Sequence, residues 1–326
     1  MEFFSTFLFS DEGEASLLKL KLECEGELVS HWVGVDSAYS FRGDKKGLSL
    51  RRIIETDDGF AKFRDRISVV EISDNLLDTH QPDFRTQASD VVRAIGKRFM
   101  DRDSWKQSMK AYHERRFFAC EMALRNCAKT TLADVSNGKG VVFVSDVDEI
   151  LDSTHPQRRS RLNMVIRRGE TVLRLPRLHY VFDFDNVDWG GAYFSPLVMV
   201  DTILRRGNDV DLSSVRKRNI GTVPFRDVAV IEYSSCFDMR TIERKLRTFA
   251  HLSPPRDALS TALTFNHKVI HDVNSGPLQR EWLDRIVPRS DFAPSPVVEA
   301  LERFKTNNVN PQYAAHRRTH FPDVFR

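Results

Sequence analysis

This sequence predicts an α/β fold, a single large domain around a mixed, mostly parallel sheet. Three observations carry that expectation. Short apolar runs alternate with segments of helical periodicity through the first half of the chain. The run VVFV at 141–144 is apolar throughout, as a strand covered on both faces requires. It leads straight into Asp146, Asp148 and Glu149, where an open sheet presents a crevice at its carboxyl edge.

Taken in order, FFSTFLF at 3–9 is the first strand, and EASLLKLKLECE at 14–25 is a helix turning Leu17, Leu18 and Leu22 to the sheet. VSHWVGVD at 29–36 is a second strand ending at Asp36, and 37–52 is a basic loop with glycines at 43 and 47. ISVVEI at 67–72 is the third strand, closed by the turn residues Ser73, Asp74 and Asn75. A long helix follows. Ser104 with Gln107 forms a capping box, Trp105, Met109, Tyr112, Ala119 and Ala123 recur at helical spacing, and the helix is expected to end near Cys127. The second half is less regular, with strands expected within 171–185, 190–200 and 223–233. A helix is expected at 241–251, with Ile242, Leu246 and Phe249 on one side and Pro254 and Pro255 barring its continuation. The resulting division is one domain over 1–272, with a ligand-binding half at 1–150, a second half at 151–272, and a polar extension at 273–326.

Composition narrows the classes. Apolar residues make up 41% and charged residues 29%, the balance of an ordinary globular chain, and the 23 Phe are read as core filling. A net charge of +3 from 49 basic and 46 acidic side chains is too small for a nucleic-acid binder. No apolar run approaches the ~18 residues of a membrane span, and the acidic start does not read as a secretory leader. A cytoplasmic protein is the default expectation. Cys24, Cys120, Cys127 and Cys236 have no CxxC spacing and are expected as free thiols.

If the chain stays extended past Val144, Asp146 and Asp148 point the same way, and Asp148 projects farther into the crevice. Carboxylates converging there repel unless a cation lies between them. Mn²⁺ or Mg²⁺ with a diphosphate is the natural partner, because carboxylate and phosphate oxygens together complete an octahedral shell. The other reading is that one acid caps the next element and the rest face solvent. Neither GxxxxGK[ST] nor a strand followed by GxGxxG occurs, which disfavours a P-loop and a dinucleotide fingerprint. Asp36 at a strand end could accept from a ribose or base, and Arg42 and Lys46 in the adjoining loop could offset phosphate charge.

Four blocks in order resemble glycosyltransferase family 17, the family of the β-1,4-mannosyl-glycoprotein 4-β-N-acetylglucosaminyltransferase: YSFRGDKKGL at 39–48, ERRFFACEMALRNC at 114–127, VVFVSDVDEI at 141–150 and IERKLRTFAH at 242–251. The aromatic stretch HYVFDFDNVDWGGAYFS at 179–195 lies where that family has a similar segment. The resemblance implies a GT-A-like fold with nucleotide-sugar and acceptor halves, a UDP-sugar donor, UDP-GlcNAc above all, and a divalent metal at the Asp-x-Asp motif. It matches Asp146, Asp148 and Glu149 to the family's acids, Asn126 to the Asn of its helix motif, and His251 to its FAH histidine, which implies a metal or diphosphate role for His251. Leu124 replaces the usual Gln, Asp36 a more usual Glu, and Val230, Ile231 and Glu232 depart from a Gly-Trp-His pattern.

The expected reaction is metal-dependent transfer of a sugar to a glycan hydroxyl with inversion. Asp185, Asp188 and Glu232 are the candidate bases, since inversion needs a carboxylate beside the attacking hydroxyl. The alternatives are nucleotidyl or phosphoryl transfer at the same acidic centre, and a non-catalytic carbohydrate-binding domain.

Overall fold

A computed structural model describes residues 2–79, 102–151, 160, 163–164, 172–180, 187–188, 194–200, 212 and 230–232. β1 (Phe3–Phe9) is buried along its whole length, as its unbroken apolar and small residues dictate. A helical turn at Glu12–Glu14 leads into α1 (Ala15–Glu25), and β2 (His31–Ser37) follows. Both strands and the helix agree with the sequence reading to within two residues. α1 is buried nearly all round, with Leu17, Leu18, Leu20 and Leu22 covered together with Lys21 and Glu25. A helix covered on every side carries no one-sided apolar stripe, and the charged pair within it was not foreseen.

The basic loop after β2 ends sooner than expected, because α2 (Leu50–Thr56) begins inside it. A 3₁₀ stretch at Asp58–Arg66 then precedes β3 (Ile67–Ile72). Phe60 and Phe63 are buried there, and Phe63 meets Trp32 edge to face at 5.8 Å. A short helix, α3 (Leu76–Thr79), comes next. The long helix α4 (Arg102–Ser136) starts before Ser104 and runs well past Cys127. Ser104 is thus inside the helix rather than its cap. The run continues because Ala128 and Leu132 extend the buried row begun by Cys120 and Leu124, each four residues on. It stops where Asn137 (φ 49°) and Gly138 (φ 70°) enter the left-handed region.

β4 (Val141–Val144) is buried throughout, and β5 (Glu149–Leu151) follows within a few residues. β6 (Val172–Tyr180), β7 (Val187–Asp188), β8 (Phe194–Met199) and β9 (Val230–Glu232) supply the rest of the described sheet. The strand order is β3-β2-β1-β4-β8-β6-β9-β5, with β7 against β6. The first four strands are mutually parallel, and β8 lies antiparallel against β4. The architecture is therefore a mixed α/β sheet. Parallel pairing dominates only its first half, since β8 and β7 run antiparallel to β6, and β5 antiparallel to β9. α4 packs on the face carrying Phe4, Leu8, Val33, Val35, Val142 and Val144, which form one core cluster with Leu124 and Leu132.

The chain leaves β1 toward β2 and β3 on one side, and returns to lie as β4 on the other. That reversal opens a crevice at the carboxyl ends of β1 and β4, the usual ligand position in open α/β sheets. No helix among the described residues is long and apolar enough to cross a membrane.

Candidate functional site

The acidic segment sits at this crevice, in a shape the sequence reading did not expect. β4 ends at Val144, where the Ser145 N–H donates to the Thr6 carbonyl at 3.0 Å and the Ser145 hydroxyl to the same oxygen at 3.0 Å. The Glu149 N–H then closes a turn onto the Asp146 carbonyl at 3.1 Å. The expectation of an extended chain carrying Asp146 and Asp148 side by side is therefore wrong. The two acids also differ in exposure. Asp148 is 5% exposed, whereas the Asp146 carboxyl is 32% exposed and is the more open of the two. Glu149 is buried, and its Oε2 accepts from the Asp146 N–H at 3.4 Å.

Two basic residues hold this turn from behind. Lys21 of α1, fully buried, donates from Nζ to Ser145 Oγ (2.9 Å) and to the Glu149 carbonyl (2.6 Å), bracketing both ends of the turn. Its charge is matched by Glu25 Oε1 at 2.8 Å, and it lies 5.0 Å from the Phe143 ring centre. Glu25 accepts in addition from the Leu151 N–H (3.0 Å) and from Trp32 Nε1 (2.9 Å), so the buried carboxylate is well served. Arg125 of α4 donates to the Ser145 carbonyl (3.1 Å), to Glu121 Oε1 (2.8 Å) and to Asp146 Oδ1 (2.5 Å). Lys21, Glu25 and Arg125 were not among the residues expected to matter. The signal was present for two of them: Lys21 and Glu25 are an i,i+4 ion pair between Leu17, Leu18 and Leu22, where a solvated face has no place. For Arg125 only the i,i+4 spacing from Glu121 was available.

Across the crevice, Asp36 is completely buried at the end of β2. Its Oδ1 takes Lys46 Nζ at 2.8 Å, and its Oδ2 accepts from the N–H groups of Ser49 (2.7 Å) and Leu50 (2.9 Å). It caps α2 from another element while anchoring the basic loop, and these bonds take up both of its oxygens. Lys46 is accordingly tied to Asp36. Arg42 is half-buried, 5.9 Å from the Phe117 ring centre, and burial lowers its pKa from the ordinary value, partly offset by Asp44. A small cavity of about 20 Å³, open to solvent, lies between this loop and the strand ends. Leu8, Phe9, Val35 and Leu124 supply apolar walls, and Ser10, Ser37, Tyr39, Ser40, Phe41 and Lys46 the rest of its lining.

The strand register connects the second half to the acidic turn. Glu149 lies opposite Glu232, Glu232 is level with His179, and His179 is opposite Asp188, so the four positions form one row across β5, β9, β6 and β7. Glu232 thus stands one strand from the turn, about 5 Å away at the backbone, and Asp188 two strands further. Asn126 accepts from the Leu212 N–H at 3.0 Å, tying α4 to the second half. Asp185, His251, the helix expected at 241–251 and Cys236 lie outside the described residues.

Asp146 and Asp148 carry the hard carboxylate oxygens that Mg²⁺ or Mn²⁺ takes, Asp146 a third exposed with its Oδ1 held by Arg125 and Asp148 buried. No group of three or more His, Cys, Asp or Glu able to hold a metal occurs among the described residues. One or two carboxylates are nevertheless enough for a cation that keeps its waters and takes the remaining oxygens from a substrate phosphate. Compared with protein-family models and with curated proteins, the chain matches none.

Proposed function

We propose that this protein is a metal-dependent glycosyltransferase moving a sugar, GlcNAc from UDP-GlcNAc, to a glycan hydroxyl with inversion. The observation that carries the reading is the acidic turn at the carboxyl ends of β1 and β4, held from within by Lys21 and Arg125. The ordered family-17-like blocks support it and favour a GT-A-like arrangement, with a nucleotide-sugar half at 1–150 and an acceptor half at 151–272.

In this reading the base and ribose lie over the open mouth of the small cavity beside Tyr39, Phe41 and Ser40, where an aromatic wall and hydroxyls suit a flat polar ring. Asp36 acts there by fixing the loop, through Lys46 and the start of α2, rather than by touching the nucleotide. Asp146 and Asp148 would hold the cation, which when bound neutralises charge on the departing diphosphate. Glu232 is the carboxylate we assign as base, because it lies opposite Glu149 in register while Asp188 is more distant. It takes the proton of the acceptor hydroxyl as that oxygen attacks the anomeric carbon from the face opposite the diphosphate, so an α-linked donor gives a β-linked product.

Incubation with labelled UDP-GlcNAc and Mn²⁺ across a glycan panel tests the reading, with UDP and a β-linked GlcNAc product expected. Release of pyrophosphate would instead indicate nucleotidyl transfer. Absence of both transfer and UDP release, with other UDP-sugars equally inert, would refute glycosyl transfer.

A further inference from the structure

Arg125 touches both a carboxylate of the acidic turn and a carboxylate of its own helix. Its Nη2 is shared between Asp146 Oδ1 (2.5 Å) and Glu121 Oε1 (2.8 Å), its Nε also reaches Glu121 (3.2 Å), and its Nη1 is held by the Ser145 carbonyl (3.1 Å). The guanidinium is 5% exposed, yet the Asp146 contact is only one of these four. If Asp146 turned away, Arg125 would keep a carboxylate at two of its nitrogens and a carbonyl at the third. A buried charge retained by other partners can release one of them without being stranded.

We infer that Arg125 is the resting counter-ion of Asp146, and that a divalent cation binds by displacing the guanidinium from Asp146, leaving it held by Glu121 and the Ser145 carbonyl. This rests on the cation-binding role proposed above for the acidic turn. Two positive charges cannot share Oδ1 at close range, so a free cation binds weakly while Arg125 is engaged. A nucleoside diphosphate arriving with the cation brings compensating negative charge and acceptor oxygens for the released Nη2. The cation is thereby admitted mainly together with its diphosphate, and Glu121, off the crevice, decides how readily Asp146 is given up.

The test is a Mn²⁺ titration followed by electron paramagnetic resonance, with and without UDP, on the wild type, Arg125→Gln and Glu121→Gln, each checked by a thermal melt. Arg125→Gln is expected to tighten Mn²⁺ binding in the absence of UDP by about three- to tenfold, the scale of one partly exposed ion pair, and to shrink the gain that UDP confers. Glu121→Gln is expected to weaken it, because the guanidinium then has no second carboxylate to hold it once Asp146 is given up. Unchanged or weaker Mn²⁺ binding in a folded Arg125→Gln protein overturns the inference and makes Arg125 a support of the turn. Should Arg125→Gln fail to fold, Glu121→Gln decides, and unchanged Mn²⁺ affinity there overturns it equally. If the wild type binds no Mn²⁺ even with UDP, the cation-binding reading falls and this inference with it.

Discussion

Lys21 and Glu149, 128 residues apart in sequence, are joined by a 2.6 Å hydrogen bond from the buried ammonium to the Glu149 carbonyl. That bond, with the one to Ser145 Oγ, makes the acidic turn an extension of α1 as much as of β4. Replacing Lys21 by Met would leave the Glu25 carboxylate buried without its counter-charge. The expected cost is about 3–5 kcal/mol of unfolding free energy. Adding Glu25→Gln removes the stranded charge and leaves one carbonyl oxygen for either Trp32 or Leu151; a stranded buried charge costs more than one lost neutral hydrogen bond, so the double variant should be more stable than Lys21→Met alone. Urea unfolding of both decides. A double variant that is less stable would show that the Glu25 charge is not what Lys21 compensates.

Exposure of the two aspartates sets the order of damage at the proposed site. Asp146, a third exposed, is better placed than the buried Asp148 to meet a cation arriving from the crevice. Asp146→Asn should therefore lower Mn²⁺-dependent UDP release by about a hundredfold or more, as removal of a direct ligand implies, with the melt little changed. Asp148→Asn should lower the melting temperature more than Asp146→Asn does. The reverse pattern, a stable Asp148→Asn protein with the greater loss of turnover, would restore Asp148 as the principal ligand.

Gly34 is the point where β1 and α2 close over β2. A Cβ added there would lie 2.7 Å from the Phe7 ring and 2.9 Å from Leu50 Cδ2. Both neighbours are fully buried, so the overlap has little room to relax. Gly34→Ala is expected to cost about 1–3 kcal/mol despite the better strand propensity of alanine. A melting temperature equal to or above that of the wild type would contradict this packing.

None of the described thiols forms a disulfide, and they should be slow to react. Burial, aided by the nearby Glu121 charge, pushes the Cys120 thiol up to about 11, and burial raises Cys127 as well. At pH 8 almost none of the reactive thiolate is present on Cys120. Mass spectrometry after iodoacetamide treatment should find Cys24 and Cys120 unmodified in the native protein and modified in urea. Labelling of native Cys120 at the rate of a free thiol would show that this part of α4 opens readily.

Much of the described architecture was legible in the residues alone. The β1, β3 and β4 boundaries follow from apolar runs bounded by polar or turn residues, because alternation and run length are local properties of the chain. The end of α4 was misplaced at Cys127 for a related reason. Small residues such as Ala128 read as neutral until the sheet they pack against is known. α2 escaped notice because its start is stabilised by Asp36, which caps it from a different strand rather than from the preceding residue.

The acids themselves, their position after a buried strand and the need for positive charge nearby were determined by the sequence. Which charge answers them was decided by the tertiary structure. Arg125 and Lys21 reach the turn from α4 and α1, and the register of β5 against β9 brings Glu232 level with Glu149. Periodicity orients a side chain within its own element only. Contacts between elements depend on strand order and on turns closed by long-range hydrogen bonds, such as the one from Ser145 to Thr6 that ends β4. After that bond the Glu149 N–H closes onto the Asp146 carbonyl, and the turn leaves the Asp146 side chain a third exposed and Asp148 buried.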